Sequence, residues 1–334
     1  MPADAELFER LGRLVREVPG SGELVRRVIE HWAARQDIAE RSRLLKHLVL
    51  RYAAAEEELF RLSRELGRRQ QCIEEDLAAA GEIQRRLLPR APQAGGRFAA
   101  AWLFQPSAAV GGDLFNVMRL DEHRWGLYAL DVGGHGVPAA MVAVSVYQDL
   151  QPYSPFVRRA DPAAPAGYAL ASPAEVLAAL EREYPFERFA NFFTIVYLIL
   201  DTAADAVRAS SAGHPPPVLV RRGGRVEVLQ RGGPVIGLRS EGEAAGGPAG
   251  FTEVEAAFGP GDRLFVYTDG LVEFQNGEGE FFGRPRLLEL LKSGRSAAAA
   301  VEAVRAALAE FGGGAAPADD VTLLGIEPAA RLTS

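Results

Sequence analysis

The sequence predicts an α+β fold: a β-sandwich carrying helices, preceded by an all-helical N-terminal region. Three observations predict it. Residues 5–88 are rich in Leu, Ala, Glu and Arg, and only Pro19-Gly20-Ser21-Gly22 clearly breaks them. From Phe98 onward the chain changes to short runs rich in β-branched and aromatic residues. These runs come in adjacent groups with helices inserted in pairs, which favours a sandwich over a strictly alternating doubly wound sheet.

Within the helical region, Leu59, Leu66, Ile73, Ala80 and Leu87 fall at a positions of a heptad frame, with Leu62 and Ile83 at d. Arg69 and Asp76 occupy the two d positions between them. Polar d residues weaken a coiled coil while fixing its register, so the pattern fits a parallel homodimer; the other reading is an amphipathic helix packed on its own domain. Pro89 and Pro92, followed by Gly95-Gly96, end the helix and mark a boundary. The expected organisation is a helical regulatory and docking region over 1–58, a helical linker over 59–90 and a catalytic domain over 91–330.

Strands are expected at Phe98–Phe104, Leu114–Leu120, Trp125–Val132, Phe193–Leu200, Ala206–Ser211, Pro217–Val220, Arg225–Leu229, Arg263–Thr268 and Val321–Ile326. Helices are expected at Pro138–Leu150, Pro173–Tyr184, Arg284–Leu291 and Ala297–Phe311. Two segments read as mobile surface loops able to gate a site: Gln151–Ser172, with prolines at 152, 155, 162 and 165, and the Gly- and Glu-rich Ser240–Gly250.

Composition narrows the function. Apolar residues make up 48% of the chain and charged residues 24%, which excludes collagen-like, disordered and disulfide-scaffold classes. Residues 1–90 carry 17 Lys/Arg against 16 Asp/Glu, leaving 20 against 28 in residues 91–334 of the chain's 37 and 44. An acidic domain without clustered Lys/Arg is a poor match for a phosphate backbone, so no nucleic-acid partner is expected. No apolar run reaches the roughly 18–20 residues of a bilayer span, and residues 1–16 are too charged for a signal peptide, so a cytoplasmic protein without a membrane partner is expected. The single cysteine, Cys72, lies in a charged helical stretch without ligand partners nearby.

The informative pattern is where the acids fall. Gly111-Gly112-Asp113 opens a strand, Leu127-Tyr128-Ala129-Leu130-Asp131 ends one, Phe265-Val266-Tyr267-Thr268-Asp269-Gly270 ends another, and Asp319-Asp320 precedes Val321-Thr322-Leu323-Leu324. A strand ending in Asp holds a carboxylate rigidly at a sheet rim, and neighbouring glycines allow close backbone approach. Any one of these acids alone has an ordinary explanation as a turn residue or helix cap. Together, in matching contexts, they read as a carboxylate site for Mg²⁺ or Mn²⁺, because the His and Cys clusters that zinc prefers are missing from the sequence.

The motifs Gly111-Gly112-Asp113-Leu114-Phe115-Asn116, Asp131-Val132-Gly133-Gly134-His135-Gly136-Val137-Pro138-Ala139-Ala140, Ser211-Ala212-Gly213-His214-Pro215, Thr268-Asp269-Gly270-Leu271-Val272-Glu273 and Asp319-Asp320-Val321-Thr322 resemble, in order and spacing, the RsbU/SpoIIE branch of the PPM (type 2C) phosphatases. The resemblance runs from about Ile83 to Ile326 and includes the lead-in helix Glu82-Ile83-Gln84-Arg85-Arg86-Leu87-Leu88-Pro89. It implies α-β-β-α layers, a centre of two Mn²⁺ or Mg²⁺ ions at one end of the sandwich, and hydrolysis of phosphoserine or phosphothreonine. On that resemblance Asp131, Asp269 and Asp113 are the catalytic residues, and the metal ligands are Asp113, Asp131, Asp269, Asp319 and the carbonyl of Val132. Asp320, His135 and Asn116 are further candidates, with Asp320 read as a cap or supporting group. The chain departs from many relatives in having Asn116 in place of a second Asp and Gly133 in place of Ser, and Asn116 adds no charge for an additional ion.

Two ions would make a protein nucleophile unnecessary. His135 and His214 are the residues to weigh as general acids. Gly133-Gly134-His135-Gly136 lacks the Lys-Ser/Thr of a P-loop and reads as a turn exposing Asp131. By resemblance, the substrate is a phosphorylated STAS-domain anti-sigma-factor antagonist in a partner-switching stress pathway. An upstream activator would dock on the helical N-terminus, and Ile83–Leu87 would carry its signal. The competing readings are a non-catalytic scaffold and a small-molecule phosphoester hydrolase.

Overall fold

The structure is a computed structural model that describes residues 38–89, 98–164, 166–238 and 250–329, with Arg26, Arg27 and Glu30. The chain divides into two compact units, Met1–Ile73 and Glu74–Ser334. Among the described residues no helix is long and apolar enough to cross a membrane.

The helix α1, Ile38–Leu87, is continuous, as its Ala-, Leu-, Glu- and Arg-rich sequence dictates. In the first unit Leu59, Leu62, Leu66 and Ile73 of the heptad frame are all exposed. Arg69, which interrupts that frame, pairs along its own helix with Glu65 at 2.6 Å. Within the second unit the frame divides: Ile83 is exposed, whereas Leu87 packs against the core, following the inward face set by Gly81 and Gln84.

The second unit is a four-layer α-β-β-α sandwich. One sheet has the order β1 (Phe98–Gln105), β13 (Val321–Pro328), β12 (Arg263–Tyr267), β8 (Val218–Val220) and β9 (Val226–Val228), antiparallel throughout. The other has the order β10 (Gly232–Gly233), β7 (Ala206–Ala212), β6 (Phe193–Asp201), β3 (Arg124–Val132) and β2 (Leu114–Arg119), with β11 (Val254–Ala257) also on β7. The central strands read as apolar runs because both their faces are covered. Phe115, Leu127, Val196, Leu198, Leu264 and Leu324 fill the space between the sheets. On one outer face α2 (Val137–Asp149) and α3 (Pro173–Glu183) contribute Val142, Val146, Val176 and Leu180. On the other, α6 (Arg284–Ser293) and α7 (Ala297–Gly312) contribute Leu287, Leu291, Val301 and Val304.

Local sequence fixes the helix ends. Ser172 and Glu175 form a capping box at α3, with Pro173 opening the helix. Ser296 caps α7, and Gly313 ends it in the left-handed region at φ 56°. Two short helices, α4 (Phe186–Phe189) and α5 (Asp269–Val272), escape the sequence reading because single turns carry no periodicity.

Residues 151–172 differ from the mobile loop the prolines suggest. A small hairpin, β4 (Arg158–Ala160) with β5 (Tyr168–Leu170), folds here and Val157 is buried in the core. The Arg158 guanidinium lies 4.3 Å from the Tyr153 ring and 4.0 Å from the Tyr168 ring, and donates to the carbonyl of Leu120 at 2.6 Å. Proline restricts the chain as readily as it interrupts strands, and a buried anchor decides which effect prevails. Most of the other expected loop, Ser240–Gly250, lies outside the described residues.

Candidate functional site

Strand register places the acids at one end of the sandwich. Leu114 pairs with Leu130, so Asp113 and Asp131 are the next residues along neighbouring strands. In the facing sheet Tyr267 pairs with Leu323, which puts Thr268-Asp269 beside Thr322 and the Asp319-Asp320 pair. Thr268 donates its N–H to the Thr322 carbonyl at 3.1 Å, extending the ladder to the rim.

Asp131 is the focus of the electrostatics. Burial, with repulsion from Asp269, Asp319 and Asp320, pushes its carboxyl up to about 7. Asp113 is buried, and its carboxyl is held well above the usual range by burial and by Asp131, against the pull of Thr322 and Thr268. Both threonine hydroxyls donate to Asp113 Oδ2, that of Thr268 at 2.7 Å. Burial also raises Asp319, as do the charges of Asp320 and Asp269, while His135 pulls the other way. None of the groups shifting these three acids is a Lys or Arg.

Asp320 has a different place. It is buried; its Oδ1 accepts from the Ser107 N–H at 2.7 Å and the Ser107 hydroxyl at 2.9 Å, and its Oδ2 from the Asp113 N–H at 3.2 Å. It therefore tethers the 107–113 loop. Asp319 accepts the N–H of Asp320 at 2.8 Å and stays exposed, within electrostatic reach of Asp131 and Asp269.

The Val132 carbonyl faces Gly112, where an added Cβ would approach it to 2.7 Å. His135 is exposed near Asp319. His214 is buried, its Nδ1 lies 2.8 Å from Thr194 Oγ1, and burial drives its ring down to about 3. A ring so placed is neutral and shielded near pH 7, so it is not a general acid. Asn116 is not brought to the acids: its Oδ1 accepts from the Val117 N–H at 2.8 Å and its side chain lies against Tyr128. Among the described residues no three His, Cys, Asp or Glu side chains are arranged to hold one ion together.

The sequence reading passed over Thr268, Thr322, Ser107 and Gln84. The threonines lie inside the quoted motifs, where a Thr beside each acid was the available signal. Gln84 donates to the Gly111 carbonyl at 2.8 Å and accepts the Gly111 N–H at 3.1 Å.

Comparison with known proteins agrees with this architecture. The family model for Stage II sporulation protein E (SpoIIE) matches residues 121–328. The phosphoserine phosphatase RsbP of Bacillus subtilis is 28% identical over 175 residues, covering 51% of this chain and 38% of RsbP. Protein IcfG of Synechocystis is 28% identical over 138 residues, covering 41% of this chain and 21% of IcfG. The chain thus spans well under half the length of these relatives. Among solved structures, the SiaA PP2C domain of Pseudomonas aeruginosa matches with a TM-score of 0.62 at 23% identity, covering 77% of this chain and 97% of that one. The RsbU and RsbW domains of Rv1364c from Mycobacterium tuberculosis match with a TM-score of 0.54 at 26% identity, covering 73% and 62%. The family match covers more than half of the chain and the sandwich shares the PP2C fold: the chain belongs to the Stage II sporulation protein E family, in the RsbU/SpoIIE-like branch of the PPM phosphatases.

Proposed function

We propose that the chain is a Mn²⁺- or Mg²⁺-dependent serine/threonine phosphoprotein phosphatase acting on a phosphorylated STAS-domain anti-sigma-factor antagonist. The observation that carries this reading is Asp131, pushed to about 7 by burial and three neighbouring acids. Such mutual repulsion is the signature of a site short of positive charge. An oxygen-only donor set suits Mg²⁺ or Mn²⁺, and Mg²⁺ commonly takes only one or two carboxylates and keeps several waters. A site without three converged ligands therefore still fits.

Asp131 and Asp269 would hold the ions, with Asp113, Asp319 and the Val132 carbonyl beside them. Bound there, two ions supply Lewis acidity toward the phosphoryl oxygens and lower the pKa of water. The chain's own part is positioning. Thr268 and Thr322 fix the orientation of Asp113, and Asp320 fixes the loop that presents it. His135 stands exposed beside Asp319, where an imidazole nitrogen can deliver a proton to the departing serine oxygen.

The phosphoserine specificity is supported by the likeness to RsbP, a phosphoserine phosphatase. Partner switching is supported by the likeness to a chain that joins RsbU and RsbW domains. The exposed seam of Leu59, Leu62, Leu66 and Ile73 supports a homodimer formed through α1, with an activator docking on residues 1–58. The test is phosphate release from a phosphorylated STAS protein and from p-nitrophenyl phosphate, with Mn²⁺ and with EDTA. Release from the STAS protein should need Mn²⁺ and disappear in Asp131→Asn; release undiminished by EDTA or by that substitution would sink the reading.

A further inference from the structure

His214 is buried, titrates far below neutral and takes no part in the proton transfers proposed above. Its surroundings give it another use. The turn carrying it is clamped to the sheet: Gly213 bridges to Ile195 and donates its N–H to the Gly233 carbonyl at 3.2 Å, and the Ser211 hydroxyl donates to the His214 carbonyl at 2.8 Å. From that fixed turn the ring reaches Thr194, and Thr194 is the cross-strand partner of Asp131. The backbone carbonyl of Tyr267, two residues before Asp269, is the group that favours a proton on the ring. One imidazole thus lies between the β6 residue opposite Asp131 and the β12 residue leading to Asp269, strands that belong to different sheets.

Its Nε2 is buried and makes no hydrogen bond of normal geometry. A buried polar atom without a partner destabilises the fold, and a phenylalanine would fill the same space without that penalty. An imidazole here makes sense where the spacing of the two sheet ends matters.

We infer that His214 is a positioning residue for the acid cluster, a buried strut that is hydrogen-bonded to Thr194 and packs toward the end of β12, and so sets the separation of Asp131 and Asp269. The inference rests on the proposed metal site, and the experiment separates the two. Mn²⁺ binding to the full chain is measured by isothermal titration calorimetry, with thermal unfolding in EDTA alongside, for the wild type, His214→Ala, His214→Asn and Thr194→Val. Groups that orient metal ligands change metal affinity by about 10–100-fold. His214→Ala and Thr194→Val should weaken Mn²⁺ about tenfold, the lower end of that range, while His214→Asn, which keeps a polar atom facing Thr194, should recover most of the loss. If the wild type binds Mn²⁺ and Thr194→Val binds it equally well, the strut is refuted whatever His214→Ala does to folding. If the wild type binds no Mn²⁺, the metal reading itself fails and the inference falls with it.

Discussion

Gln84 holds Gly111 by both ends of its amide, donating to the carbonyl at 2.8 Å and accepting the N–H at 3.1 Å. The pair is buried, and it fastens the last turns of α1 to the loop that leads into Asp113. The contact is close: an added Cβ on Gly81, one turn earlier, would come within 2.0 Å of the Ala109 carbonyl. Gln84→Ala leaves two buried backbone groups unpaired, at a cost of about 2 kcal/mol. It should lower the melting temperature by several degrees and reduce Mn²⁺-dependent phosphate release through kcat. An unchanged kcat would show that the loop holds Asp113 without the helix.

Asp319 and Asp320 are adjacent in sequence and should answer mutation in opposite ways. Asp320→Ala strips the acceptor from the Ser107 N–H, the Ser107 hydroxyl and the Asp113 N–H. Three unmet donors predict a loss of about 3 kcal/mol or more. Asp319→Asn keeps an acceptor for the Asp320 N–H while removing a charge from the cluster. It should leave the melting temperature in EDTA unchanged or higher and cut Mn²⁺-dependent turnover at least tenfold. Calorimetry and phosphate release on both variants check the pair, and equal destabilisation by the two would contradict the division of roles.

The metal-free protein carries two pH dependences of opposite sign. Asp131 sits at about 7 in the fold against an ordinary 3.8, so its contribution to stability is full below about 4 and is lost as pH rises through 7. Asp113, shifted the same way, adds to it. His214 sits at about 3 against an ordinary 6.5, so its contribution is full above 6.5 and is lost as pH falls toward 3. Between about pH 4 and 6.5 the two slopes oppose. Scanning calorimetry in EDTA should show Asp131→Asn losing stability on acidification more steeply than the wild type, and His214→Asn gaining relative to it. Parallel curves for all three proteins would refute the assignment.

The sandwich was legible because its central strands are covered on both faces and therefore read as unbroken apolar runs, as in Leu127–Leu130 and Ile195–Leu200. The acids were legible because each follows or precedes such a run. What was not legible depends on contacts distant in sequence. Thr268 and Thr322 reach Asp113 across 155 and 209 residues, and Gln84 reaches Gly111 across 27. Nothing in a local window says which hydroxyl will face which carboxylate. The β11 strand, Val254–Ala257, was missed for another reason: it is four residues of Val, Glu and Ala held by pairing with β7, not by a propensity of its own.

The exposed face of α1 gives the last prediction. Leu59 is 68% exposed, Leu66 66% and Ile73 59%, on a helix whose neighbouring charges pair along the same helix, Arg61 with Glu58 and Arg69 with Glu65. Such exposed pairs are screened by solvent and hold only their own helix, so they do not account for a row of solvent-facing leucines. Covering those leucines in a parallel pair of helices would stabilise the association by about 1.5–3 kcal/mol for each side chain fully buried. The full chain should therefore run as a dimer by light scattering, and Leu62→Glu with Leu66→Glu should make it a monomer. Because these residues lie in the first unit, away from the acids in sequence, the monomer should keep Mn²⁺-dependent hydrolysis of p-nitrophenyl phosphate within about twofold, a range expected for surface changes that leave the core intact. A double variant that remains dimeric would place the interface elsewhere, and one that loses hydrolysis of the small substrate would show that association itself assembles the site.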